Sequence, residues 1–180
     1  MLYTVLTELT SLLNEYLNAF YDVPEGMAEL GTPDTTDEEA ANKLLVTLLN
    51  IERETAMGLA GNYQPTGSGS TSAQQNPAWH LNLYFAVAAV FDKKRYAESL
   101  KALSKALGFL QQQSTFRLVD GQTFSLEPVT ANTQELTNLW SILGGKYYPS
   151  IICKIRKLTI DGHEIKGTAN QVGGIDTQTR

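Results

Sequence analysis

Residues 135–161, ELTNLWSILGGKYYPSIICKIRKLTID, decide the fold, because a helical pattern, a corner and a strand pattern follow one another within them. The apolar residues at helical spacing are Leu136, Leu139, Trp140 and Leu143. Asn132 and Glu135 are spaced as a capping box, in which each side chain bonds the other's backbone N–H. Gly144 supplies the left-handed residue that ends a helix. The stretch therefore predicts an amphipathic helix, a corner and a strand over residues 150–160.

The strand at residues 150–160 changes its buried face partway along. One parity holds Ile151, Cys153 and Ile155, and the other holds Leu158 and Ile160. Because a shift of one residue turns every side chain to the opposite face, a β-bulge near Arg156-Lys157 would restore a single buried face. Such a bulge directs the nearby bases outward, beside two tyrosines of the corner. The candidate partner interface comprises Lys154, Arg156, Lys157, Tyr147 and Tyr148.

Hydrophobic periodicity predicts the remaining elements. They are a helix over residues 2–20, a short strand between Pro24 and Pro33, strands over 43–54 and 79–91, a helix over 96–110 capped by Asp92, and a hairpin around Asp120-Gly121. The leucine-rich run at 43–54 is also compatible with a helix. Together these elements predict the α+β class, with a mixed, mostly antiparallel sheet and about three packed helices.

The length of 180 residues is that of one domain. We predict a single domain over residues 1–161. Within it, residues 58–77 contain TGSGSTSAQQNP, a composition that buries too little surface to offset its ordering entropy, so a flexible Gly/Ser-rich loop is expected. Residues 162–180 have no core pattern and are predicted to be a polar tail that only a partner orders.

Charge is distributed unevenly along the chain. The net charge is −5, which argues against nucleic acid as the main partner, since that binding relies on excess Lys and Arg. Residues 1–60 carry eleven acids against Lys43 and Arg53, whereas the chain from Asp92 onward carries twelve bases and eight acids. This asymmetry suggests two differently charged faces, although a chance distribution over a solvated surface is an equal alternative.

The N-terminal sequence, the length of the apolar runs and the single cysteine predict the cellular compartment of the protein. No basic region precedes an apolar segment at the N-terminus, and no apolar run is long enough to span a bilayer, so we expect no secretory signal and no membrane insertion. Cys153 has no partner for an internal disulfide and is expected to be a buried, inert thiol. These features predict a protein assembled and kept in the cytoplasm.

Catalytic patterns are weak throughout the sequence. His80 and His163 lie far apart and outside any metal-ligand spacing. Gly145-Lys146 resembles the end of a phosphate-binding loop but lacks the following Ser or Thr. The carboxylates between Asp34 and Glu39 are expected to be a solvated face or a helix start. We therefore predict no catalytic residue, no cofactor, no metal and no enzymatic activity.

Four segments, in order and spacing, resemble the N-terminal domain of the cap proteins of extracellular contractile injection systems, which are phage-tail-like particles. These segments are LNIERE, HLNLYFAVAAVF, YAESLKALSKALGFLQQQSTF and ELTNLWSILGGKYYPSIICKIRKLTI. The resemblance covers about Met1 to Asp161. The glycine- and serine-rich loop and the polar tail match no feature of that family.

The resemblance implies a structural role rather than catalysis. Cap proteins, also called tail terminators, form a six-fold ring that ends the inner tube and holds the distal end of the extended sheath. The implied partners are further copies of the chain, the tube protein and the sheath protein. We also expect the strand over residues 150–160 to be an exposed sheet edge that can accept a strand from a sheath subunit.

Two other functions remain open from the sequence. The chain could serve elsewhere in the same kind of particle, as a baseplate or tail-completion adaptor. It could also be a small-ligand-binding or enzymatic domain that uses the polar loop at residues 58–77 as a lid. Deletion of residues 62–75 would abolish an activity in the last case, whereas a terminator would still fold and assemble.

Overall fold

A computed structural model of the chain describes residues 1–33, 41–55, 78–118 and 121–160, and the backbone of residues 63–65, 71–75 and 165–170. The helices are α1 (Leu2–Asn18), α2 (Tyr96–Gln112) and α3 (Thr133–Ile142), as predicted. A 3-10 turn (Lys93–Arg95) precedes α2, and the Asp92 side chain caps this turn by accepting a hydrogen bond from the Lys94 N–H at 2.8 Å. The cap predicted for α2 itself is wrong, because α2 begins after Arg95 and has no side-chain cap. No helix of the described part is both long and apolar enough to cross a membrane.

The strands divide between a large sheet and a small one. In chain order they are β1 (Ala28–Leu30), β2 (Lys43–Arg53), β3 (Tyr63–Pro65), β4 (Thr71–Gln75), β5 (Trp79–Val90), β6 (Thr115–Arg117), β7 (Thr123–Pro128), β8 (Ser150–Ile160) and β9 (Ile165–Asn170). The six-stranded sheet has the order β1-β2-β5-β8-β7-β6. Because β1 is parallel to β2 while β7 is antiparallel to both β6 and β8, the sheet is mixed, as predicted. The strand alternative for residues 43–54 is confirmed.

One face of the large sheet carries the main hydrophobic core beneath α1 and α2. Leu83, Phe85 and Val87 of β5 alternate into this core, as a strand's two-residue period requires. The Phe109 ring of α2 packs against Tyr16 of α1, with ring centroids 5.6 Å apart. Each such buried large side chain contributes about 1.5–3 kcal/mol to stability. The core therefore fixes α1 and α2 on the same face.

The opposite face carries a smaller cluster formed by Leu45, Ala88, Val90, Trp140 and Tyr148. Trp140 belongs to α3, and Tyr148 belongs to the segment Gly144–Tyr148, which we call the corner. The sheet residues of this cluster have the parity opposite to those of the main core. The stretch that opened the sequence analysis therefore covers the second face of the sheet.

Asn14 of α1 joins the helix to β1 through both ends of its amide. Its Nδ2 donates to the Ala28 carbonyl at 2.6 Å, and its Oδ1 accepts from the Ala28 N–H at 2.7 Å. Gly26 lies against this amide with a φ of 80°, and a Cβ placed there would stand 2.9 Å from Nδ2 and Oδ1. Only glycine fits this close approach, so the turn before β1 is held firmly to α1.

Several local predictions are confirmed around α3 and the hairpin. Asn132 Oδ1 accepts from the Glu135 N–H at 3.0 Å, and Glu135 Oε2 accepts from the Asn132 N–H at 2.8 Å, which completes the capping box. Gly144 has a φ of 98° at the end of α3. Strands β6 and β7 form the predicted hairpin, with Gly121 at a φ of 87°. Asp120 lies outside the described residues.

The change of face in β8 is confirmed, and the prediction of an exposed edge is wrong. Burial alternates up to Ile155, Arg156 and Lys157 are both exposed, and Leu158 is buried again. Lys157 has a φ of 66°, an irregular backbone conformation at the predicted position. Strand β8 lies inside the sheet between β5 and β7, because β7 pairs with Cys153 to Arg156.

The chain divides into two compact units. One comprises Met1–Glu52 and Asn82–Leu158, and the other comprises Arg53–Leu81 and Thr159–Arg180. In the second unit, β3 and β9 each pair antiparallel with β4, so strands occur within the segments predicted as a loop and a tail. These ladders satisfy backbone groups without requiring apolar side chains. The domain over residues 1–161 and the tail after it stay predictions.

Candidate partner-binding surface

Lys154 and Arg156 of β8 have the parity opposite to the strand's residues in the main core, and Lys157 is exposed at the irregularity. Lys154 Nζ stands 4.8 Å from the centroid of the Tyr84 ring, a cation–π distance. Arg156 Nη1 lies 3.4 Å from Glu127 Oε1 of the neighbouring strand. The structure thus brings the three predicted bases together along one strand, with one of them partly neutralised by Glu127.

The two tyrosines of the corner differ in their exposure to solvent. Tyr147 is 65 % exposed, and its ring meets the Trp140 indole edge-on at 5.8 Å. Tyr148 is only 5 % exposed, and its ring packs against Trp140 at 5.8 Å within the hydrophobic cluster. Lys146 Nζ lies 5.1 Å from the Tyr148 ring centroid and is itself exposed. Of the two tyrosines, only Tyr147 presents its ring to a partner.

Ile142, which the sequence analysis did not select, lies two residues before the corner. It is 83 % exposed at the end of α3, a helix in which Trp140 is the one buried residue. The sequence could have predicted this exposure, since Ile142 falls outside the helical stripe of Leu136, Leu139 and Leu143. Single apolar side chains are common on protein surfaces, so the exposure alone assigns Ile142 no partner.

The residues that the sequence analysis considered as catalytic, phosphate-binding or metal-binding candidates do not form such a site among the described residues. His80 Nδ1 stands 3.1 Å from Thr159 Oγ1 at the start of β5. Gly145-Lys146 follows the C-terminus of α3, whereas a phosphate loop requires a helix N-terminus. Within the described ranges, no three His, Cys, Asp or Glu side chains converge as metal ligands would. His163 and the carboxylates between Asp34 and Glu39 lie outside the described residues.

Two groups with a raised pKa, Lys43 and Tyr21, lie outside β8. The hydrogen bond from Lys43 Nζ to Glu29 Oε2, 2.8 Å long, raises the pKa of Lys43 against the opposing effect of burial. Burial raises the pKa of Tyr21, and the Glu98 carboxylate adds to that shift. Lys43 and Glu29 belong to the adjacent strands β2 and β1, whereas Tyr21 lies in the α1–β1 turn and Glu98 in the first turn of α2.

Cys153 provides a pH-dependent prediction. Burial in β8 raises the pKa of its thiol from 9.0 to about 12, so above pH 9 the unfolded chain loses a proton that the folded chain keeps. Its stabilising contribution is present below pH 9 and declines by about 1.4 kcal/mol per pH unit as the pH rises towards 12. We expect urea unfolding to show a steeper loss for the wild type than for Cys153→Ala between pH 9 and about 10.5. Equal slopes would contradict the burial of this thiol.

Comparisons with known proteins agree with this fold. The sequence model of the Pvc16 N-terminal domain matches residues 4–173. The sheath/tube terminator of the extracellular contractile injection system PVC, solved in the extended state, superimposes with a TM-score of 0.66 at 12 % identity, over 97 % of this chain and 62 % of that one. The tube-terminating cap of the anti-feeding prophage gives 0.65 at 17 % identity, over 97 % of this chain and 61 % of that one.

At these identities the similarity establishes the fold. The chain spans about three fifths of the length of the two solved proteins. No curated protein matches the chain significantly by sequence.

Proposed function

Because the chain belongs to the Pvc16 N-terminal domain family, we propose that it is a structural cap subunit, or tail terminator, of a contractile injection system. It forms a ring that ends the inner tube and holds the distal end of the extended sheath. The observation that carries the proposal is the coincidence of the family match with a terminator fold over 97 % of the chain.

A ring of this kind suits the physical problem of ending a tube. Tubes and sheaths grow by head-to-tail contacts that do not close along the axis, so their last ring exposes an unsatisfied surface. A terminator binds that surface on one side and presents no copy of it on the other. We propose a homohexamer whose partners are the tube and sheath proteins, assembled in the cytoplasm within the particle, without enzymatic activity.

The bases of β8 are proposed to meet an acidic surface of a partner in the particle. Lys154 is half-buried, and Arg156 and Lys157 are exposed. The strand that carries them is held by the sheet on both sides, so its backbone loses little entropy when they are bound. Tyr147 adds an exposed aromatic ring near the same face, and aromatic and basic residues are enriched at interfaces.

Electron microscopy of particles from the native strain and from a strain lacking this chain tests the function. Tubes of irregular length, or sheaths that are missing or contracted, are expected in the deletion strain. Particles of normal length with intact distal ends would overturn the terminator role. Labelled chain at the spike end would instead support the baseplate or tail-completion adaptor.

Reversing the charge of Lys154, Arg156 and Lys157 to glutamate is expected to weaken assembly while the fold persists. Partly exposed interfacial charges contribute about 1 kcal/mol each, and salt screens them. Incorporation of the variant into particles should therefore fall most at low salt, and circular dichroism should show the native thermal transition.

The double reversal of Lys93 and Lys94 is a suitable control, since both are exposed bases at the start of α2. It should leave incorporation near that of the wild type. Equal incorporation of the triple variant and the wild type at low salt would remove these bases from the interface.

A further inference from the structure

Residues 130–147, which we call the cover segment, contain α3 and run between two points where the backbone is bonded to the large sheet. Before the segment, the Val129 N–H donates a hydrogen bond to the Ile152 carbonyl of β8 at 2.8 Å. After it, the Ala89 N–H of β5 donates to the Pro149 carbonyl, also at 2.8 Å. The sheet therefore holds both ends of the cover segment, one at β8 and the other at β5.

Little buried surface attaches the cover segment to the sheet. All of its residues are described, and Trp140 is the one that is buried, while Leu136, Leu139 and Leu143 are half-buried. Helix α1, by contrast, buries six of its residues and α2 buries five. Because regions with few buried apolar contacts open at the lowest free energy, α3 is the helix that leaves the sheet most easily.

The side-chain hydrogen bonds of the cover segment stabilise α3 itself. Asn132 and Glu135 close the capping box, and the hydroxyls of Thr137 and Ser141 each donate to the carbonyl four residues earlier. Gln134 Nε2 donates to Asn138 Oδ1 at 3.1 Å, one turn along the same helix. These bonds do not reach the sheet, so the packing of apolar side chains holds α3 in place.

Trp140, the main anchor, also carries a group that opposes its burial. Its Nε1 is buried and has no hydrogen-bond partner among the described residues. An N–H group that is removed from water without a new partner costs free energy, and opening returns that free energy by restoring hydration. The ring of Trp140 therefore attaches α3, while its N–H favours release.

Two consecutive glycines supply a hinge at the end of α3. Gly144 and Gly145 have φ values of 98° and 78°. A Cβ added at Gly145 would meet no described atom within 4 Å, so this turn is not packed against other parts of the chain. Since glycine adopts positive and negative φ about equally readily, the pair can redirect the chain between α3 and Tyr148.

From these observations we propose that the cover segment opens as a unit, about its two held ends, while the main core stays folded. Opening exposes the apolar residues Leu45, Ala88 and Val90, which are 5 %, 1 % and 4 % exposed in the closed state. A helix of ten residues is marginal in water without tertiary contacts, so α3 loses its backbone hydrogen bonds when it opens. The second face of the sheet is thus accessible only in the open state. This device belongs to the single chain and goes beyond the cap role.

Hydrogen exchange of the purified wild-type chain at increasing urea concentrations tests the opening. After correction for intrinsic rates, the amides of residues 136–143 should exchange at least about a hundredfold faster than those of β5. Their opening free energy should also depend less on urea, because the slope scales with the surface exposed and α3 exposes only part of the chain. An equal free energy and an equal slope for α3 and β5 would overturn the proposal.

Cysteine labelling shows whether the helix leaves the sheet or only frays. Ala88→Cys and Ala89→Cys are made in the Cys153→Ala background. Both alanines are 1 % exposed in β5, with Ala88 in the cluster beneath α3 and Ala89 in the main core. Methyl methanethiosulfonate should label the cysteine at position 88 at least about tenfold faster than that at 89. Rates are compared at urea concentrations that give the two variants equal free energies of unfolding, so a loss of stability caused by the added sulfur does not produce the difference.

The two measurements together decide the outcome. Fast exchange of α3 with preferential labelling at position 88 supports the proposal. Fast exchange with equal labelling at positions 88 and 89 would mean that α3 frays in place, which overturns it. Labelling at both positions with the urea dependence of global unfolding would overturn it as well. Because the assays use the purified chain, neither result depends on the proposed place of the protein in a particle.

Discussion

Replacing Trp140 by alanine is expected to lower the free energy of unfolding by about 3–5 kcal/mol, as truncation of a buried aromatic side chain does. Trp140 is 4 % exposed and contacts the rings of Tyr147 and Tyr148 over the second face of the sheet. Its removal opens a cavity beneath a helix that buries no other residue. Thermal unfolding followed by circular dichroism measures the loss, and an unchanged transition would contradict the buried position.

The substitution Trp140→Phe distinguishes the contribution of packing from that of a hydrogen bond of the indole. The indole Nε1 is buried and has no hydrogen-bond partner among the described residues, so phenylalanine removes no hydrogen bond while it retains most of the packing. We expect a cost of about 1 kcal/mol, well below that of alanine. Equal costs for the two variants would mean that the indole N–H has a partner and that its bond supplies much of the stability.

Replacing Asn14 by alanine is expected to cost about 2–4 kcal/mol, because it leaves the N–H and carbonyl of the buried Ala28 without the amide that bonds both. Urea unfolding measures the loss, and an unchanged free energy of unfolding would contradict the two hydrogen bonds between Asn14 and Ala28.

Asn18→Ala provides the matched control, since Asn18 is exposed at the end of the same helix and should change stability by less than about 0.5 kcal/mol. A second control uses Gly26, where a Cβ would stand 2.9 Å from the Asn14 amide. Gly26→Ala should therefore cost less in the Asn14→Ala background than in the wild type. Additive costs would contradict the close approach.

Local chemistry explains why much of the fold could be predicted. The capping box of Asn132 and Glu135 requires two residues three positions apart, and the left-handed turn requires a glycine after the helix. The change of face in β8 was visible because burial must alternate along a strand, and the irregularity at Lys157 lies where the parity changes. Each of these features is encoded within a few residues.

Long-range pairing explains what the sequence did not reveal. The internal position of β8 depends on β7, whose pairing partner is not marked by any local pattern. The pairing of β4 with β9 joins segments about 95 residues apart through backbone groups, which every composition provides. Asn14 is one of several polar residues of the amphipathic helix α1, and its role follows only from the position of Ala28.

For the candidate interface, the sequence correctly located the bases within one strand but did not distinguish the environments of two adjacent tyrosines. Tyr147 and Tyr148 are adjacent residues of the same type, yet one is 65 % exposed and the other 5 % exposed. Which of them reaches a partner therefore depended on the arrangement of side chains in space.

The left-handed backbone of Lys157 bears on how sequences of this family diverge. With a φ of 66°, this position disfavours most side chains by about 1–2 kcal/mol and favours glycine or asparagine. Buried isoleucine, leucine and valine, by contrast, can replace one another at small cost. In this strand we therefore expect relatives to keep the left-handed backbone at the exposed position 157, while their buried apolar residues replace one another. Chains that share 12 % or 17 % identity are best aligned on such backbone-restricted positions.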